Sequence, residues 1–369
     1  MEKIYLWGAG KIANDILNSL EAAKVEYHCN HIFQIAGMID NDINKWGSEF
    51  HGLKVVSPME AVENGFDNIV ISCAQEESIR EQAEFGYHIS PEKIQTKWHL
   101  LKLLMTLKYE QSLDADIQAV LKYWENNSLS VWNHFMGPKD KYHEVIWDKK
   151  CNLPYIEFLT VEDKIKKMYF PRQRRFEILN GKQIVRDILF DQQPGSPHLY
   201  IRDEHKVEDG DVIFDGGVCE GNFSLKYVDV ASKIYLVECD PQWEEPLYYT
   251  FKDYWDKVVF CNKMLSHRDG YNSVSIDSLV DGKLDFMKLD IEGAEIEAVL
   301  GAKRTLEREN VKCSICSYHR CEDERLLKEL FGQSGYSTDV SRGYMTFIYD
   351  RDIWYHQDFR RGIVYAQKK

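Results

Sequence analysis

The stretch DVIFDGGVCEGN, residues 211–222, decides how the second half of this chain folds. It begins as a short apolar strand ending in an acid, passes through a glycine-rich turn and leads directly into the helical pattern of residues 223–230. Glycines let a backbone approach a ligand closely, and the N–H groups that begin a helix are free to bind an anion. We therefore expect a nucleoside or an amino acid to be bound here, by Asp215, Gly216, Gly217, Glu220, Gly221 and Asn222.

The next apolar segment, residues 234–240, predicts a second strand of the same sheet. Two acids stand at its end, Glu238 and Asp240, and the first of them comes 17 residues after Gly221. In parallel α/β sheets an acid at this distance accepts hydrogen bonds from ribose hydroxyls. The pattern therefore strengthens the interpretation of a nucleoside site.

Two more strands are predicted from apolar runs at residues 257–263 and 285–290. The first would bring Asn262 alongside the base of the bound nucleoside. The second is expected beside the strand that begins at residue 211, on the other side of the switch point of the sheet. Asp290, at its end, would then face the reactive part of the ligand.

Residues 1–97 alternate strand-like and helical segments and predict a smaller α/β domain of the same kind. Its first turn, Gly8–Ala13, fits G-x-G-x-x-A between a strand and a helix, and Asp40 ends the next strand. The turn favours a nucleotide or nucleotide-sugar site, although such a turn also persists where no ligand binds. The predicted elements are residues 3–7, 11–21, 32–39 and 68–72.

Two amphipathic helices are predicted within residues 98–141, because apolar residues recur there at spacings of three and four. We interpret them as packing elements that connect the two domains. The second domain then comprises residues 142–369 and opens with a β-hairpin over residues 142–160. A turn-rich loop at residues 191–197 is where a lid over the site would begin.

The net charge of −14 disfavours binding to phosphate backbones and to anionic membrane surfaces. One basic cluster, Arg172, Arg174 and Arg175, could contact an anionic group of a substrate or could be a solvated face. We therefore expect a small-molecule acceptor and no nucleic-acid partner, and we leave the oligomeric state open.

The N-terminus shows no signal-peptide pattern, and no apolar run reaches the roughly 18 residues that a membrane span needs. The nine cysteines are scattered, mostly within apolar segments, as is typical of free thiols. The sequence thus predicts a cytoplasmic protein without disulfides or a membrane span.

Three segments together resemble the FkbM family of methyltransferases: residues 212–225, residues 272–279 and, most specifically, DFMKLDIEGAEIEAVLGA at 285–302. The likeness covers about residues 200–350. It implies a Rossmann-like methyltransferase sheet, mostly parallel with an antiparallel edge, that binds S-adenosylmethionine. It also implies transfer of a methyl group to a hydroxyl, often on a sugar or a natural product.

Within this resemblance, two residues are candidates for the chemistry. Methyl transfer from a sulfonium mainly requires that the acceptor oxygen be aligned and lose its proton. Asp290 and His319 end adjacent predicted strands, so we expect His319 to act as base and Asp290 to orient it or the acceptor. The alternatives are that Asp290 caps the helix that follows and that His319 is only a hydrogen-bonded residue at a strand end.

We expect no metal. In a strand, positions three apart point to opposite faces, so Cys313 and Cys316 cannot converge on a zinc ion. Asp290 and Glu292 could hold magnesium, but the sequence offers no third clear ligand.

The sequence thus predicts an S-adenosylmethionine-dependent O-methyltransferase that acts on a sugar or glycan hydroxyl, with a role in polysaccharide biosynthesis. The N-terminal domain would hold an acceptor that is nucleotide-linked or otherwise anionic. The alternative is a non-catalytic protein that binds a nucleotide sugar and carries a degenerate methyltransferase domain as a scaffold.

Overall fold

The computed structural model describes residues 2–27, 33–133, 141–186, 188–350 and 352–368, and the chain divides into two compact units. The N-terminal unit comprises residues 1–131 and 348–359, and the C-terminal unit comprises residues 132–347 and 360–369. The helices that were predicted to connect the domains are therefore part of the N-terminal unit. So is a late segment that the sequence analysis assigned to the second domain.

A six-stranded sheet organises the N-terminal unit. Its elements are β1 (Glu2–Trp7), α1 (Lys11–Tyr27), β2 (Phe33–Ile39), β3 (Glu49–Phe50), β4 (Leu53–Val56), α2 (Pro58–Asn64), β5 (Asn68–Ile71), α3 (Glu76–Glu81), β6 (Ile94–Thr96), α4 (Lys97–Tyr109) and α5 (Ala115–Asn126). The strand order is β3-β4-β2-β1-β5-β6, parallel except for β3. The late segment adds a short helix, Ile353–His356.

Strand β1 lies at the centre of this sheet because it is apolar on both faces, as the adjacent and buried Leu6 and Trp7 show. It pairs with β2 on one side and β5 on the other, so the switch point lies at its carboxyl end, next to Gly8. The predicted strands and helices of this domain are found. Ile32, predicted to begin the second strand, lies outside the described residues.

The C-terminal unit begins with two small antiparallel sheets. Their strands are β7 (Tyr142–Glu144), β8 (Ile146–Asp148), β9 (Leu153–Leu159), β10 (Ile165–Tyr169), β11 (Glu177–Leu179) and β12 (Lys182–Arg186). One sheet has the order β10-β9-β8 and the other β11-β12-β7. The predicted hairpin is therefore β8 with β9, while β7 joins a different sheet.

The large sheet of the C-terminal unit has seven strands. Its elements are β13 (Val212–Gly216), α6 (Asn222–Lys226), β14 (Lys233–Val237), α7 (Glu244–Phe251), β15 (Val258–Cys261), β16 (Met264–Leu265), β17 (Ser273–Val274), α8 (Ile276–Leu279), β18 (Phe286–Leu289), α9 (Glu295–Leu300), α10 (Lys303–Arg308), β19 (Lys312–Cys316), α11 (Asp323–Gln333), β20 (Tyr336–Val340) and β21 (Ile363–Lys368). Strands β16 and β17 form a separate parallel pair.

The strand order of the large sheet is β15-β14-β13-β18-β19-β21-β20. The first five strands are parallel, and β21 is antiparallel to both β19 and β20. The predicted fold class, a mostly parallel Rossmann-like sheet beside a smaller α/β domain, is confirmed. The antiparallel strand, however, lies one position in from the edge, because the chain returns between β19 and β20.

The central strands β13 and β18 are buried on both faces, as in other parallel sheets whose faces are covered by helices. The turns that follow them meet at one edge of the sheet. None of the helices in the described part of the chain combines the length and the apolar character that crossing a membrane requires.

Candidate active site

Each unit has a cavity at the switch point of its large sheet. The cavity of the N-terminal unit has a volume of about 420 Å³, and that of the C-terminal unit has a volume of about 650 Å³. The larger cavity lies where β13 ends between β14 and β18, the position at which open α/β sheets bind their ligands. Its volume falls within the range of pockets for small molecules. The residues of the predicted set that line it are Gly217, Glu220, Asn222, Glu238 and Asp290.

The glycine turn of this site is held tightly against the next turn of the sheet. Gly217 has a φ of +74°, and a Cβ placed on it would lie 1.8 Å from the carbonyl oxygen of Asp290. Only glycine satisfies both the backbone conformation and the contact. The turn after β13 is thus fixed to the turn after β18 by the protein itself.

Asp215 does not line the cavity, although the sequence analysis placed it in the cofactor site. It is fully buried, accepts a hydrogen bond of 2.8 Å from the Ser224 hydroxyl and pairs with the Lys288 ammonium at 3.0 Å. The same ammonium donates to the carbonyl oxygens of Gly216 and Gly217. Asp215 therefore stabilises the turn indirectly, by holding the Lys288 ammonium that donates to the turn's carbonyl oxygens.

Lys288 was missed by the sequence analysis, yet it lines the cavity. Burial alone would lower the pKa of its ammonium, but the carboxylates of Asp215 and Asp290 outweigh burial and raise it above its ordinary value. The signal was present in the alternation of β18, since Lys288 and Asp290 are two residues apart and share a face.

Glu238, directly after β14, joins the glycine turn that follows β13 to the end of its own strand. Its Oε2 accepts a hydrogen bond of 2.9 Å from the Cys219 N–H, and its Oε1 accepts one of 2.9 Å from the Asp240 N–H. The side chain is buried but lines the cavity. Among the described residues, no cation forms an ion pair with it, so its negative charge is directed at whatever occupies the cavity.

The remaining predicted cofactor residues support the site or line its edge. Asp240 caps a short helical turn by accepting the Gln242 N–H, and the Asn262 amide donates to the Glu238 carbonyl at 2.7 Å. Neither side chain lines the cavity, nor do Gly216 and Gly221. Burial raises the pKa of the Glu220 carboxyl.

Asp290 lies at the wall of the cavity and is held by two tyrosines. Tyr200 donates to its Oδ2 at 2.7 Å, and Tyr318 donates to its Oδ1 at 3.3 Å. Burial would raise the pKa of this carboxyl, but His198, Lys288 and His319 together hold it well below its usual range. Asp290 is therefore an ionised acceptor aimed by its neighbours.

His198 is buried behind Asp290 and was not predicted. Its Nδ1 lies 2.8 Å from Asp191 Oδ2, and its Nε2 lies 3.5 Å from Asp290 Oδ2. Burial lowers the pKa of the imidazole, but the two carboxylates outweigh it and raise the pKa to about 9. The available signal was the pair His198 and Tyr200, which directly follows the turn-rich loop at residues 191–197 that was interpreted as a lid.

His319 is next to Asp290, as predicted, but it does not line the cavity. Its Nε2 lies 3.6 Å from Asp290 Oδ1, and its Nδ1 lies 3.1 Å from Glu295 Oε1. The ring is 5% exposed and packs against Tyr318 and Phe347. Burial lowers its pKa, but Glu295 and the other nearby carboxylates raise it above the ordinary value.

Two of the three arginines of the basic cluster are held by contacts within the protein. Arg172 forms an ion pair with Glu245 and also donates to the Cys151 carbonyl at 3.1 Å. Arg174 stacks over the ring of Phe170, 4.5 Å from its centroid. These contacts favour the interpretation of a largely structural cluster.

The N-terminal unit has its own cavity, of about 420 Å³, beside the turn Gly8–Ala13. Asp40 accepts the Ala9 N–H at 3.0 Å and the Asp42 N–H at 2.9 Å, and pairs with the Lys45 ammonium at 2.7 Å. Burial would raise the pKa of Asp40, but these contacts lower it. A Cβ on Gly10 would meet nothing within 4 Å, so the space in front of this glycine is open.

Comparison with known proteins supports the resemblance. Residues 263–334 match the model of the methyltransferase FkbM domain, and residues 1–95 match that of the C2185-like N-terminal domain. None of the curated proteins matches the chain. Residues 263–334 of the C-terminal unit are therefore similar to a methyltransferase FkbM domain, and the resemblance is confirmed.

The chain also aligns with solved structures, including these three. A methyltransferase FkbM from Methylobacillus flagellatus KT is 13% identical, with 99% of this chain and 90% of that chain covered and a TM-score of 0.41. Aeropyrum pernix fibrillarin with bound S-adenosyl-L-methionine is 15% identical, with 61% of this chain and 99% of that chain covered and a TM-score of 0.30. Magnesium protoporphyrin IX methyltransferase from Synechocystis PCC 6803 with bound SAM is 14% identical, with 44% of this chain and 71% of that chain covered and a TM-score of 0.30.

Proposed function

We propose that this protein is an S-adenosylmethionine-dependent O-methyltransferase that methylates a hydroxyl of a sugar or glycan-type acceptor. The observation that carries the proposal is the cavity at the β13 switch point, with Glu238 on one wall and Asp290 on another. One acid suits the hydroxyls of a nucleoside, and the other lies where a second substrate would meet it.

The cofactor is proposed to extend from Glu238 to the Gly217 turn. Glu238 already accepts two backbone N–H groups, and each carboxylate oxygen retains a lone pair for a ribose hydroxyl. Gly217 brings the backbone to the cavity wall without a side chain in between. The methionine part of the cofactor would then lie near Lys288 and Asp290.

Asp290 is proposed to align the acceptor hydroxyl for in-line transfer. An ionised carboxylate fixed by Tyr200 and Tyr318 accepts a hydrogen bond in one direction, which is the main requirement of this reaction. Its low pKa makes it a weak proton acceptor, since general bases work best with a pKa near the operating pH. His319, behind it, would act through Asp290 and not on the acceptor directly.

For the N-terminal unit we propose a nucleotide-linked or otherwise anionic ligand. The support is the open space before Gly10 and the neutralisation of Asp40 by Lys45, which leaves the cavity less repulsive to phosphate. Such a ligand fits an acceptor used in polysaccharide biosynthesis. A cytoplasmic location accords with the free thiols of the described cysteines, which are typical of reducing compartments.

Isothermal titration calorimetry with S-adenosylmethionine and S-adenosylhomocysteine tests the cofactor. We expect binding by the intact protein and much weaker binding by Glu238→Ala. The acceptor is then sought by measuring the release of S-adenosylhomocysteine with a panel of free and nucleotide-linked sugars. Absence of binding by the intact protein would contradict the proposal, and binding without turnover on any acceptor would favour the non-catalytic scaffold.

A further inference from the structure

Three carboxylates and one histidine form a cluster beneath the wall of the large cavity, which we call the carboxylate–histidine cluster: Asp290, Glu292, Glu295 and His319. The ligand atoms of Asp290, Glu295 and His319 lie within 4.8 Å of one another. Glu292 adds a third carboxylate, with Oε2 lying 3.6 Å from His319 Nε2. Asp290 and Glu292 line the cavity, so one side of the cluster is open to it.

The histidine of this cluster has unsatisfied nitrogens. His319 is 5% exposed, and its Nε2 has no hydrogen-bond partner among the described residues; the same is true of Glu295 Oε2. Its Nδ1 lies close to Glu295 Oε1 without the alignment of a full hydrogen bond. Buried polar atoms almost always have a partner, so each exception requires an explanation, and an absent ion is one of them.

The geometry assigns different roles to the two nitrogens. A histidine binds a metal through one ring nitrogen, and the other is usually oriented by a carboxylate. His319 Nδ1 lies 3.1 Å from Glu295 Oε1, which suits the orienting contact. His319 Nε2 lies 3.6 Å from Asp290 Oδ1 and 3.6 Å from Glu292 Oε2.

Those two separations suit a shared ion. Ligand atoms that are each about 2.1 Å from one ion lie roughly 3.0 to 3.4 Å apart, so small side-chain movements would complete the site. Glu292 also has a φ of +56°, which is rare for a residue with a side chain.

We propose that Asp290, Glu292 and His319 Nε2 bind a divalent transition-metal ion such as Mn²⁺, with Glu295 as the positioning residue for the histidine. A ligand set of one imidazole and two carboxylates suits a transition-metal ion better than it suits an ion that prefers oxygen ligands alone. Because Asp290 and Glu292 line the cavity, neighbouring hydroxyls of an acceptor bound there could reach the ion.

The use of this ion in catalysis rests on the proposed function, whereas its binding does not. A divalent ion lowers the pKa of an oxygen that it binds, so an acceptor hydroxyl bound to it would lose its proton to water more readily. The two claims can therefore fail separately.

Titration of the metal-free full-length protein with Mn²⁺, followed by the electron paramagnetic resonance signal of free Mn²⁺, tests the site without cofactor or acceptor. We expect one equivalent to bind. Glu292→Gln should weaken binding about tenfold or more, and Glu295→Gln should weaken it about 10- to 100-fold, as is typical when an orienting partner of a ligand is lost. Glu297→Gln, a change at the same cavity but outside the cluster, is the matched control and should bind as the wild type does.

Glu292 is exposed, so its variant is expected to fold even if the buried Glu295→Gln variant does not. No binding at millimolar Mn²⁺, or equal binding by wild type and Glu292→Gln, would overturn the proposal. Loss of Mn²⁺ binding in Glu292→Gln with S-adenosylmethionine affinity unchanged would support the metal site. Mn²⁺ binding by a protein that does not bind S-adenosylmethionine would instead refute the proposed function alone.

Discussion

The two glycine turns of this chain have the same local design but opposite surroundings. In each unit an acid follows the second strand, in chain order, of the large sheet: Asp40 in the N-terminal unit and Glu238 in the C-terminal unit. Each acid accepts one N–H from the glycine turn and one from the residue two positions after itself. Asp40 is also neutralised by Lys45, whereas the described residues provide no ion pair for Glu238.

The glycines that directly follow the two central strands are constrained alike. Gly8 and Gly217 both have a positive φ, and a Cβ would lie 2.8 Å from the Cys73 Cβ at Gly8 and 1.8 Å from the Asp290 carbonyl oxygen at Gly217. Gly10, two residues further along the N-terminal turn, has open space in front of it. The comparison teaches that a matching motif fixes the backbone of a turn, whereas charge and packing around it decide what the turn can bind.

The largest expected effect is the difference in stability between variants of Lys288 and Lys45, the lysines that pair with an acid in each unit. Lys288→Met removes one partner of a buried ion pair and should lower the free energy of unfolding by about 3–5 kcal/mol. Lys45→Met removes a partly exposed partner and should lower it by no more than about 1 kcal/mol. Urea unfolding of both variants measures the difference, and equal losses would mean that Asp215 is not held as described.

A slightly smaller effect is expected from the glycines. Gly217→Ala should lower the free energy of unfolding by about 2–4 kcal/mol, because its Cβ would clash with backbone that cannot move freely. Gly10→Ala is the counterpart and should change stability by less than about 0.5 kcal/mol. If Gly10→Ala nevertheless abolishes nucleotide binding to the N-terminal unit, its open space is a ligand site.

Acid should weaken the C-terminal unit through His205. Burial, the largest influence, lowers the pKa of this imidazole to about 4. The folded state therefore binds fewer protons than the unfolded state between about pH 6.5 and pH 4. The contribution of His205 to the free energy of unfolding is full above about pH 6.5 and is lost as the pH falls toward 4. Relative to His205→Gln, the free energy of unfolding of the wild type should fall by up to about 3 kcal/mol as the pH drops to 4.

The control for this titration is His143→Gln, a change on strand β7 of the same unit. Unfolding curves recorded at several pH values should show no comparable pH-dependent difference between this control and the wild type. An identical pH profile for wild type and His205→Gln would show that His205 is not the responsible group.

The smallest of the four effects concerns the acids themselves. Glu238→Ala should weaken S-adenosylmethionine binding by about 1–3 kcal/mol, because charged hydrogen bonds to the ribose are lost. Asp40→Ala should leave that affinity unchanged. Calorimetry on both variants tests the assignment, and unchanged affinity for Glu238→Ala would remove Glu238 from the cofactor site.

Much of the fold could be predicted from the sequence because strand and helix periods are local. The central strands β1, β13 and β18 are buried on both faces, and their mostly apolar runs were recognisable from the sequence alone. The position of the antiparallel strand β21 was not predictable, since the order of strands at that end depends on pairing between distant segments.

The candidate site was only partly predictable for the same reason. Glu238 and Asp290 stand at strand ends and could be placed by spacing. Asp215 has the same local signature, but burial beside Lys288 removes it from the cavity.

By itself the sequence determined two α/β units, their glycine turns and the acids at their strand ends, because these features follow from spacing along a few adjacent residues. Only the tertiary structure decided the contacts around Asp290. Tyr200 and His198 reach it from about 90 residues earlier in the chain, and His319 from the following strand. Such contacts arise from the packing of remote segments, and no local pattern encodes them.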